Sequence, residues 1–422
     1  MRSRALRFLN PMCLVLLFAM SSGCHHAKRS LDIKFLQSWG DDVNPTFSQM
    51  AKAWGDERGV EVRVEIVPIR DVSMKATSWL QGPSGDLALL PSNLEMVNTD
   101  KLEDVSPLAV ALATRTGGYY DIGQSMGQMN GHWYNIPFCA WPHVWFYRED
   151  LLRNLHAEIP KTYDEASVLA KHLTNTHTGV YGLGIGLGQD EDFAMFLQTT
   201  IWAFGGSVVG TDGHTVTVNS PQVLSAINYL LDLYNAGAIP PGALGWDDAT
   251  NNNLFLAGRI AMTANALSID YVAKRKDPNL YVNIVHSPYP AGPAGRFSFV
   301  QTFGWSIKKG SRNKDLAEDF LEYLYSVDRM SQLFLVSEGA IAPLQRNIGS
   351  AIRMKSSRYV DAIDSVELAK PLGWPGPFTR EAAEVYNRRL LNNIFARIIN
   401  DRLTPEKALA ETEAEVRKVY AR

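Results

Sequence analysis

Residues 131–152 read GHWYNIPFCAWPHVWFYREDLL and hold three tryptophans, two tyrosines and two phenylalanines. Trp141, Trp145 and Tyr147 share one parity, which suits one face of a β-strand. Pro142 excludes an uninterrupted central strand, because proline cannot donate to the ladder. The chain then turns polar and begins a helix. We interpret this stretch as a strand that passes a ligand on its way between two lobes; the alternative is an unusually aromatic core strand.

Length and composition favour a large folded chain with more than one lobe. The 422 residues exceed what one hydrophobic core normally organises. The net charge of −3 and the ordinary apolar content argue against a disordered chain and against a generally basic surface for nucleic acid. Ten tryptophans are many, and tryptophan needs good packing and a partner for its N–H, so the surplus favours stacking sites.

The N-terminus has the features of an export signal. A positive start precedes a short apolar run at 11–20, which is too short to span a bilayer, so we predict a signal peptide at residues 1–23. Small residues stand directly before Cys24, which resembles a lipoprotein signal with a lipidated Cys24 and a spacer over 24–30. That pattern usually has an aliphatic residue where Ser21 stands. The alternative is an incidental cysteine beside an ordinary cleavage site.

Cysteine usage excludes a disulfide framework. Cys13 leaves with the signal and Cys24 would carry lipid, so the mature chain keeps Cys139 alone. A single thiol forms neither an internal disulfide nor a multi-cysteine metal site. Cys139 lies in an apolar run, and we expect it to be a small buried hydrophobe.

The first hundred residues of the mature chain alternate between strands and helices. We predict strands at 31–36, 60–67 and 86–90 with a helix at 45–58 between the first two. This order is typical of a parallel sheet with helices on its faces. Ligands bind outside the carboxyl ends of such strands, where Trp39 and Asn93 stand.

Several further segments resemble the family of extracellular solute-binding proteins of ABC sugar importers, of the maltose-binding-protein type. Besides 131–152, they are PKTYDEASVLAKHLT (160–174), FGGSVVGTDGHTVTVNSPQVLSAINYLLDLYNAGAIPP (204–241), NNNLFLAGRIAMTANAL (251–267), FGWSIKKGSRNKDLAEDFLEYLYS (303–326) and the tail LTPEKALAETEAEV (403–416). Their order and spacing match over roughly residues 31–420. The resemblance implies an α/β fold with two lobes, each a mainly parallel sheet flanked by helices, joined by a hinge that the chain crosses more than once.

The resemblance also implies where the chain crosses. The crossings are expected near 141–147, 286–290 and 339–344. The N-terminal lobe then comprises 31–142 plus 289–340, and the C-terminal lobe 143–288 plus 341–422.

Sugars present flat C–H patches and rings of hydroxyls, so a site for them needs aromatic faces together with fixed donors and acceptors. Matched segment by segment, the family implies ligand-binding residues at Trp39, Asn93, Trp141, Trp246, Asp247, Asp248, Asn265, Trp305 and Trp374. Core packing is the alternative for each. His143 is a further candidate, with a hydrogen-bonded core histidine as its alternative. Many family members carry an acidic or amide residue where Trp141 stands, so no member's sugar specificity is transferred.

The resemblance implies a binding protein without a cofactor or a metal, and we expect a monomer. Its partners would be a sugar or oligosaccharide, the permease subunits of an ABC transporter and a membrane reached through lipid on Cys24. Its place would be outside the cytoplasm, in the periplasm or on the outer face of the cell membrane. A receptor for a polyamine, a glycerophosphodiester-like solute or a ferric chelate remains an alternative, as does a sensory binding protein.

Two other functions leave weaker signals. An enzyme would need a nucleophile with its base, and the sequence has neither a G-x-S-x-G nor an H-E-x-x-H motif. The adjacent carboxylates Asp247 and Asp248 more often point apart than form a glycosidase pair. A ferric receptor could use Tyr119 and Tyr120, but only Asp121 accompanies them, and we expect a surface turn there.

Overall fold

The computed structural model describes residues 29–35, 42–68, 71–355 and 358–421. The predicted signal peptide, Cys24 and Trp39 lie outside the described residues. The strands are β1 Ser30–Phe35, β2 Glu61–Ile66, β3 Leu87–Pro91, β4 Gln128–Met129, β5 His132–Trp133, β6 Ile136–Trp141, β7 His143–Arg148, β8 Tyr181–Leu183, β9 Ile260–Ala266, β10 Ile284–Ser287, β11 Gln301–Ile307 and β12 Ala342–Pro343.

The helices surround these strands. They are α1 Val43–Arg58, α2 Val72–Gln81, α3 Ser92–Met96, α4 Ser106–Arg115, α5 Asp121–Gly127, α6 Glu149–Asn154, α7 Tyr163–Leu173, α8 Glu191–Ala203, α9 Pro221–Asn235, α10 Thr250–Leu256, α11 Ser268–Lys276, α12 Pro278–Tyr281, α13 Lys314–Leu324, α14 Val327–Val336, α15 Arg346–Arg353, α16 Arg358–Leu368, α17 Arg380–Asn387, α18 Asn393–Ile399 and α19 Pro405–Tyr420. None of the helices in the described ranges combines the length and the apolar character needed to cross a membrane.

Two sheets form two lobes, which confirms the predicted α/β, two-lobed fold class. The N-terminal lobe has strand order β12-β6-β11-β3-β1-β2, and the C-terminal lobe has β10-β7-β9-β8. Both sheets are mixed rather than mainly parallel. β3, β1 and β2 run parallel as predicted, but β6, β11 and β12 pair antiparallel. In the second sheet only β8 and β9 are parallel.

The strand directions follow from the way the chain visits the lobes. β6 and β11 carry the chain out of the N-terminal lobe and back into it, so they run in opposite directions side by side. An antiparallel pair needs no helical crossover between its strands, whereas a parallel pair does. The expected parallel order therefore holds for β1, β2 and β3, whereas the strands that connect the lobes make the other half of the sheet antiparallel.

The aromatic stretch divides at Pro142. β6 ends at Trp141 in the first sheet, and β7 begins at His143 in the second. Trp145 and Tyr147 are fully buried in the C-terminal core, and Trp133 is buried in the N-terminal core. The chain therefore passes between the sheets at the proline, and most of the aromatic side chains pack the lobes on either side.

The second and third crossings lie later than expected. After β10 the chain stays on the C-terminal lobe, where Ala291 N donates to Lys161 O at 2.8 Å and Ala294 N donates to Ala203 O at 2.9 Å. It returns to the first sheet only at Gln301. The second crossing thus follows residue 295 instead of falling within 286–290.

The third crossing runs along a helix. β12 pairs with β6 in the N-terminal sheet, so 341–355 belong with that lobe and the chain does not cross near 339–344. α16 contacts both β12 and β7, and Ser365 Oγ donates to the His143 carbonyl at 3.0 Å. The short β12 has little strand character, so the sequence does not indicate that 341–355 stay with the N-terminal lobe.

Candidate ligand-binding site between the lobes

Three amide side chains join the lobes where α3 packs against α17. Asn93 Nδ2 donates to Asn387 Oδ1 at 2.6 Å, and Asn387 Nδ2 donates back to the Asn93 carbonyl at 3.3 Å. Gln301 Nε2 donates to Asn93 Oδ1 at 2.8 Å. Asn93 and Gln301 are buried. Asn93 therefore lies at the lobe interface, at the end of β3 as predicted, with hydrogen-bonding partners on both sides.

The position of Asn93 depends on a buried glutamate in the same helix. Glu95 is fully buried and accepts hydrogen bonds from Ser306 Oγ at 2.6 Å and from Asn135 Nδ2. Burial raises the pKa of Glu95 well above its usual range, despite these donors. These contacts anchor α3 to β11 and to the segment before β6.

Trp141 lies at the hinge, next to β11, the strand that carries the Asn93 partner Gln301. It ends β6 opposite Gln301 and remains partly exposed. Its ring makes a T-shaped contact with the ring of Phe303, with centroids 5.0 Å apart. Part of the Trp141 side chain is thus accessible at the edge of the N-terminal lobe.

Asp192 is the centre of the opposing wall on the C-terminal lobe. Asn265, at the end of β9, donates from Nδ2 to Asp192 Oδ2 and to Asn252 Oδ1. Asn251 Nδ2 donates to the same Asp192 oxygen at 3.1 Å. Asn251 and Asn265 are buried, so Asp192 is fixed by amides from β9 and α10.

His143 reaches the same carboxylate from the first residue of β7. The side chain is buried, and Nδ1 shares a hydrogen bond with the Tyr289 hydroxyl. Nε2 lies 3.8 Å from Asp192 Oδ1, beyond hydrogen-bonding distance, and has no partner in the part of the chain that the structure describes. One nitrogen therefore packs in the core while the other faces the wall.

Two further carboxylates cap the start of α8. Asp190 Oδ1 accepts from Phe193 N at 2.8 Å, and Asp248 Oδ1 accepts from Glu191 N at 2.6 Å and Asp192 N at 3.1 Å. The first N–H groups of a helix lack internal partners and favour negative charge, which explains this arrangement.

Both capping carboxylates hold their protons more tightly than usual. Burial, followed by repulsion from Asp192 and Asp248, raises the pKa of Asp190 to about 7. The Asp248 residue as a whole is exposed to solvent. The protein atoms close to its carboxylate, together with the charge of Asp192, nevertheless raise its pKa to about 6.

Glu191 joins α8 to α17 and to the residues that follow it. It accepts from the Tyr386 hydroxyl and forms an ion pair with Arg389. Burial lowers the pKa of the Arg389 guanidinium to about 10. A cavity of about 20 Å³ lies between α8 and α17, lined partly by Gln198 and Tyr386. This volume has room for one water molecule.

Two predicted site residues lie away from the wall. Trp305 is fully buried in the N-terminal core, where it stacks on Phe47 at 5.4 Å and Phe35 at 5.9 Å, because β11 is a central strand and this face is turned to α1. Asp247 is exposed and accepts from Thr250 Oγ1 at 2.5 Å and from Ala249 N at 3.2 Å, both within its own loop.

Two tryptophans occupy intermediate positions. Trp246 is partly buried against the C-terminal core, in the loop that carries Asp248. Trp374 is partly buried, with its ring 6.1 Å from Trp202 and 5.0 Å from Phe297. Each keeps some exposed surface, which a ligand could reach.

Several polar residues of this region were not predicted as site residues. They are Asp192, Asn251, Asn252, Gln301, Tyr386 and Asn387. The run of three acidic residues before the apolar helix at Phe193 is a capping signal that could have indicated Asp192. Asn387 carried no such signal, because its role depends on a contact with a residue almost three hundred positions away.

The ferric alternative finds no support in the tyrosine pair. Tyr119 and Tyr120 are buried in the N-terminal core rather than in a surface turn, and the Tyr119 hydroxyl donates to the Ala109 carbonyl at 3.1 Å. Within the described ranges, no group of three or more histidine, cysteine, aspartate or glutamate residues is placed to hold a metal ion.

Comparison with known sequences identifies similar proteins over most of the chain. The family model described as bacterial extracellular solute-binding protein matches residues 40–329. YcjN of Escherichia coli (strain K12), provisionally named an ABC transporter periplasmic-binding protein, is 21% identical over 364 residues, which is 82% of this chain and 80% of that protein.

Solved structures share the fold at low sequence identity. Maltose-bound MalE3 of T. maritima is 18% identical with a TM-score of 0.77, over 92% of this chain and 99% of that one. A solute-binding protein of Thermotoga lettingae TMO, bound with α-D-tagatose, is 18% identical with a TM-score of 0.80, over 93% and 100%. The maltotriose-binding protein of Thermus thermophilus, bound with maltotriose, is 19% identical with a TM-score of 0.73, over 92% and 99%.

Proposed function

Because the chain belongs to the family of bacterial extracellular solute-binding proteins, we propose that it captures a sugar or oligosaccharide between its lobes and delivers it to the permease of an ABC transporter. The observation that carries this proposal is the set of polar and aromatic side chains on both sides of the hinge. Asn93 and Trp141 lie on one side, and Asp192 and Asn265 lie on the other. The solved relatives with maltose, maltotriose or tagatose support a sugar ligand.

The proposed contacts match the chemistry of a sugar. The exposed face of Trp141 would stack on a C–H patch, and the amides of Asn93 and Asn265 would bond hydroxyls. One stacking contact adds only about 1 kcal/mol beyond burial, whereas micromolar binding needs about −8 kcal/mol. Several contacts from both lobes must therefore act together. The proposed site residues are Trp39, Asn93, Trp141, Asp192, Trp246, Asp248, Asn265 and Trp374; Trp305 and Asp247 are left outside it.

Binding would use the hinge. In this structure Asn93 is bonded to Asn387, so a ligand that reaches Asn93 must take over that hydrogen bond. The lobes would open to admit the ligand and close around it, with the torsion confined to the connecting segments. The protein would act before the membrane: we propose export by residues 1–23 and attachment through lipid on Cys24.

Thermal-shift measurements on the purified protein test the ligand class. The panel contains mono- and oligosaccharides, polyamines and ferric citrate, with a chromogenic glycoside set to detect hydrolysis. A ligand at 100 times its Kd should add about 2.7 kcal/mol to the stability of the native state and raise Tm by several degrees. The sugar proposal is wrong if no sugar changes Tm while ferric citrate does. Glycoside cleavage would instead make the protein an enzyme.

A further inference from the structure

Negative charge accumulates on the C-terminal wall of the proposed site. Four carboxylates meet at the start of α8: Asp190, Glu191, Asp192 and Asp248. Arg389 lies among them and pairs with Glu191. The helix N-terminus contributes about half a positive charge. When the carboxylates are ionised, the wall keeps a surplus of about two to three negative charges, counted over the described residues.

Nε2 of His143 is buried beside these carboxylates and has no hydrogen-bond partner among the described residues. The Thr199 hydroxyl donates to the Met195 carbonyl at 2.9 Å, so it can only accept from the Tyr289 hydroxyl to which it is also bonded. Tyr289 in turn accepts from Nδ1–H of His143. With Nδ1 as the donor, the neutral imidazole carries its lone pair on Nε2. His143 is only 1% exposed, and this lone pair lies 3.8 Å from Asp192 Oδ1.

One ligand group that bonds both His143 Nε2 and Asp192 Oδ1 must carry more than one hydrogen. A sugar hydroxyl donates one hydrogen and cannot serve both His143 Nε2 and Asp192 Oδ1. An ammonium group donates three, and a nitrogen about 2.9 Å from each acceptor can sit beside a pair that is 3.8 Å apart. The third hydrogen would turn to Asp248, whose carboxylate lies on the backbone N–H of Asp192.

We propose that the ligand carries a protonated amine bound by Asp192 and His143, which makes an aminated sugar the substrate class. This inference rests on the proposed function and names the ligand within it. An anionic sugar would be repelled by the same wall. A polyamine shares the ammonium chemistry, but the amides of Asn93 and Gln301 and the ring of Trp141 on the opposite lobe favour a ligand that also has hydroxyls and a C–H face.

Acidity should couple to binding. The titratable groups that face the proposed ammonium are Asp190, Glu191, Asp192, Asp248, His143, Tyr289, Tyr386 and Arg389. Burial and mutual repulsion raise the pKa of Asp190 to about 7 and of Asp248 to about 6. A bound cation favours the ionised carboxylates and so lowers both pKa values. Binding is therefore strongest above these values and weakens as pH falls through them.

Calorimetric titration of the purified protein with matched sugars tests the inference. The probes are glucose and galactose, their 2-amino and 2-acetamido derivatives, their uronates, and spermidine. We expect an aminated sugar to bind at least about tenfold more tightly than its neutral parent, and acetylation to abolish the gain, because an amide carries no charge. Affinity for the amine should rise about tenfold from pH 5 to 7, a range in which a sugar amine stays protonated.

The outcomes separate the two proposals. Tighter binding of a neutral sugar than of its amine overturns the inference and leaves the proposed function standing. Binding of spermidine alone keeps the ammonium site but replaces the sugar by a polyamine. No binding by any of these probes counts against both.

A variant pair locates the effect. Asp192→Asn should reduce the preference for the amine to less than about threefold, because the amide cannot pair with a cation. Asp247→Asn changes a carboxylate of a nearby loop that faces its own helix, and it should keep the full preference. Melting curves establish that both variants fold. An unchanged preference in folded Asp192→Asn would overturn the assignment.

Discussion

Trp141 and Trp305 stand on neighbouring strands and have different surroundings. Trp305 is enclosed by Phe35 and Phe47, whereas Trp141 makes a T-shaped contact with Phe303 and stays partly exposed. A ring enclosed by other rings contributes to the stability of the lobe. A ring with an exposed face can contribute to binding.

Replacing each tryptophan by alanine should separate these contributions. Trp305→Ala should lower the free energy of unfolding by about 3–5 kcal/mol, because it leaves a cavity in the core. Trp141→Ala should leave most of that stability but weaken ligand binding about twofold to tenfold, the value of a lost stacking contact. Urea denaturation and ligand titration measure the two effects. Unchanged affinity in Trp141→Ala would remove this residue from the proposed site.

The residues of the proposed site were only partly predictable from the sequence. Asn93 comes just after β3 and Asn265 lies near the end of β9, and the ends of strands can be located from sequence. The face to which Trp305 points cannot, because strand parity gives two faces without saying which one a helix covers. Asp192 and Asn387 needed the fold itself, since their partners come from distant segments.

At the scale of elements, local signals predicted helix limits well where a cap is present. Thr162 caps α7 by accepting from Glu165 N, as the capping-box spacing indicated. Residues 380–399 form two helices, α17 and α18, separated near Arg389, whose φ of 51° interrupts the helix. Neither glycine nor proline marks that break. The interruption lets Arg389 reach Glu191, a tertiary gain that sequence alone does not reveal.

The cap of α8 should make stability depend on pH. The folded pKa of Asp190, about 7, lies above the unfolded value of about 3.9. Its contribution is therefore complete below about pH 4 and is lost as pH rises through 7. Asp190→Asn keeps a capping side chain and removes the charge, so it should add roughly 2 kcal/mol at pH 8 and little at pH 4.

Denaturation of both proteins at pH 4, 6 and 8 measures this difference. Asp212→Asn is a suitable comparison, because Asp212 is exposed and hydrogen bonds to Thr215 and His214 lower its pKa to about 2. A stability difference for Asp190→Asn that stays constant across the three pH values would contradict the expected titration.

At the scale of the whole molecule, polar side chains join the lobes at several places, among them Arg275 of α11, which pairs with Asp42 and Glu338. The reciprocal bonds between Asn93 and Asn387 link α3 to α17. The two-lobed fold was predictable because its segments occur in a fixed order along the chain. The positions of the second and third crossings were not, because they depend on β12 and α16 and on which lobe those elements join.

Removing the reciprocal contact should open the protein in the absence of ligand. Each hydrogen bond contributes about 0.5–1.5 kcal/mol, so Asn387→Ala should shift the balance toward the open form by roughly fivefold to a hundredfold. Small-angle X-ray scattering would show a larger radius of gyration, and a ligand should restore the closed value. Asn98→Ala, which breaks a contact within the N-terminal lobe, should leave the radius unchanged. Equal radii for all three proteins would show that this contact does not hold the lobes.

The reactivity of the buried Cys139 thiol can measure the opening of the N-terminal lobe alone. It lies within β6, flanked by β11 and β12, and burial raises its pKa well above the usual range. Rotation of the lobes about the hinge leaves these three strands paired, so it does not admit a thiol reagent. With Cys13 and Cys24 replaced, the rate of alkylation would report how often the N-terminal sheet comes apart, independently of how often the lobes part.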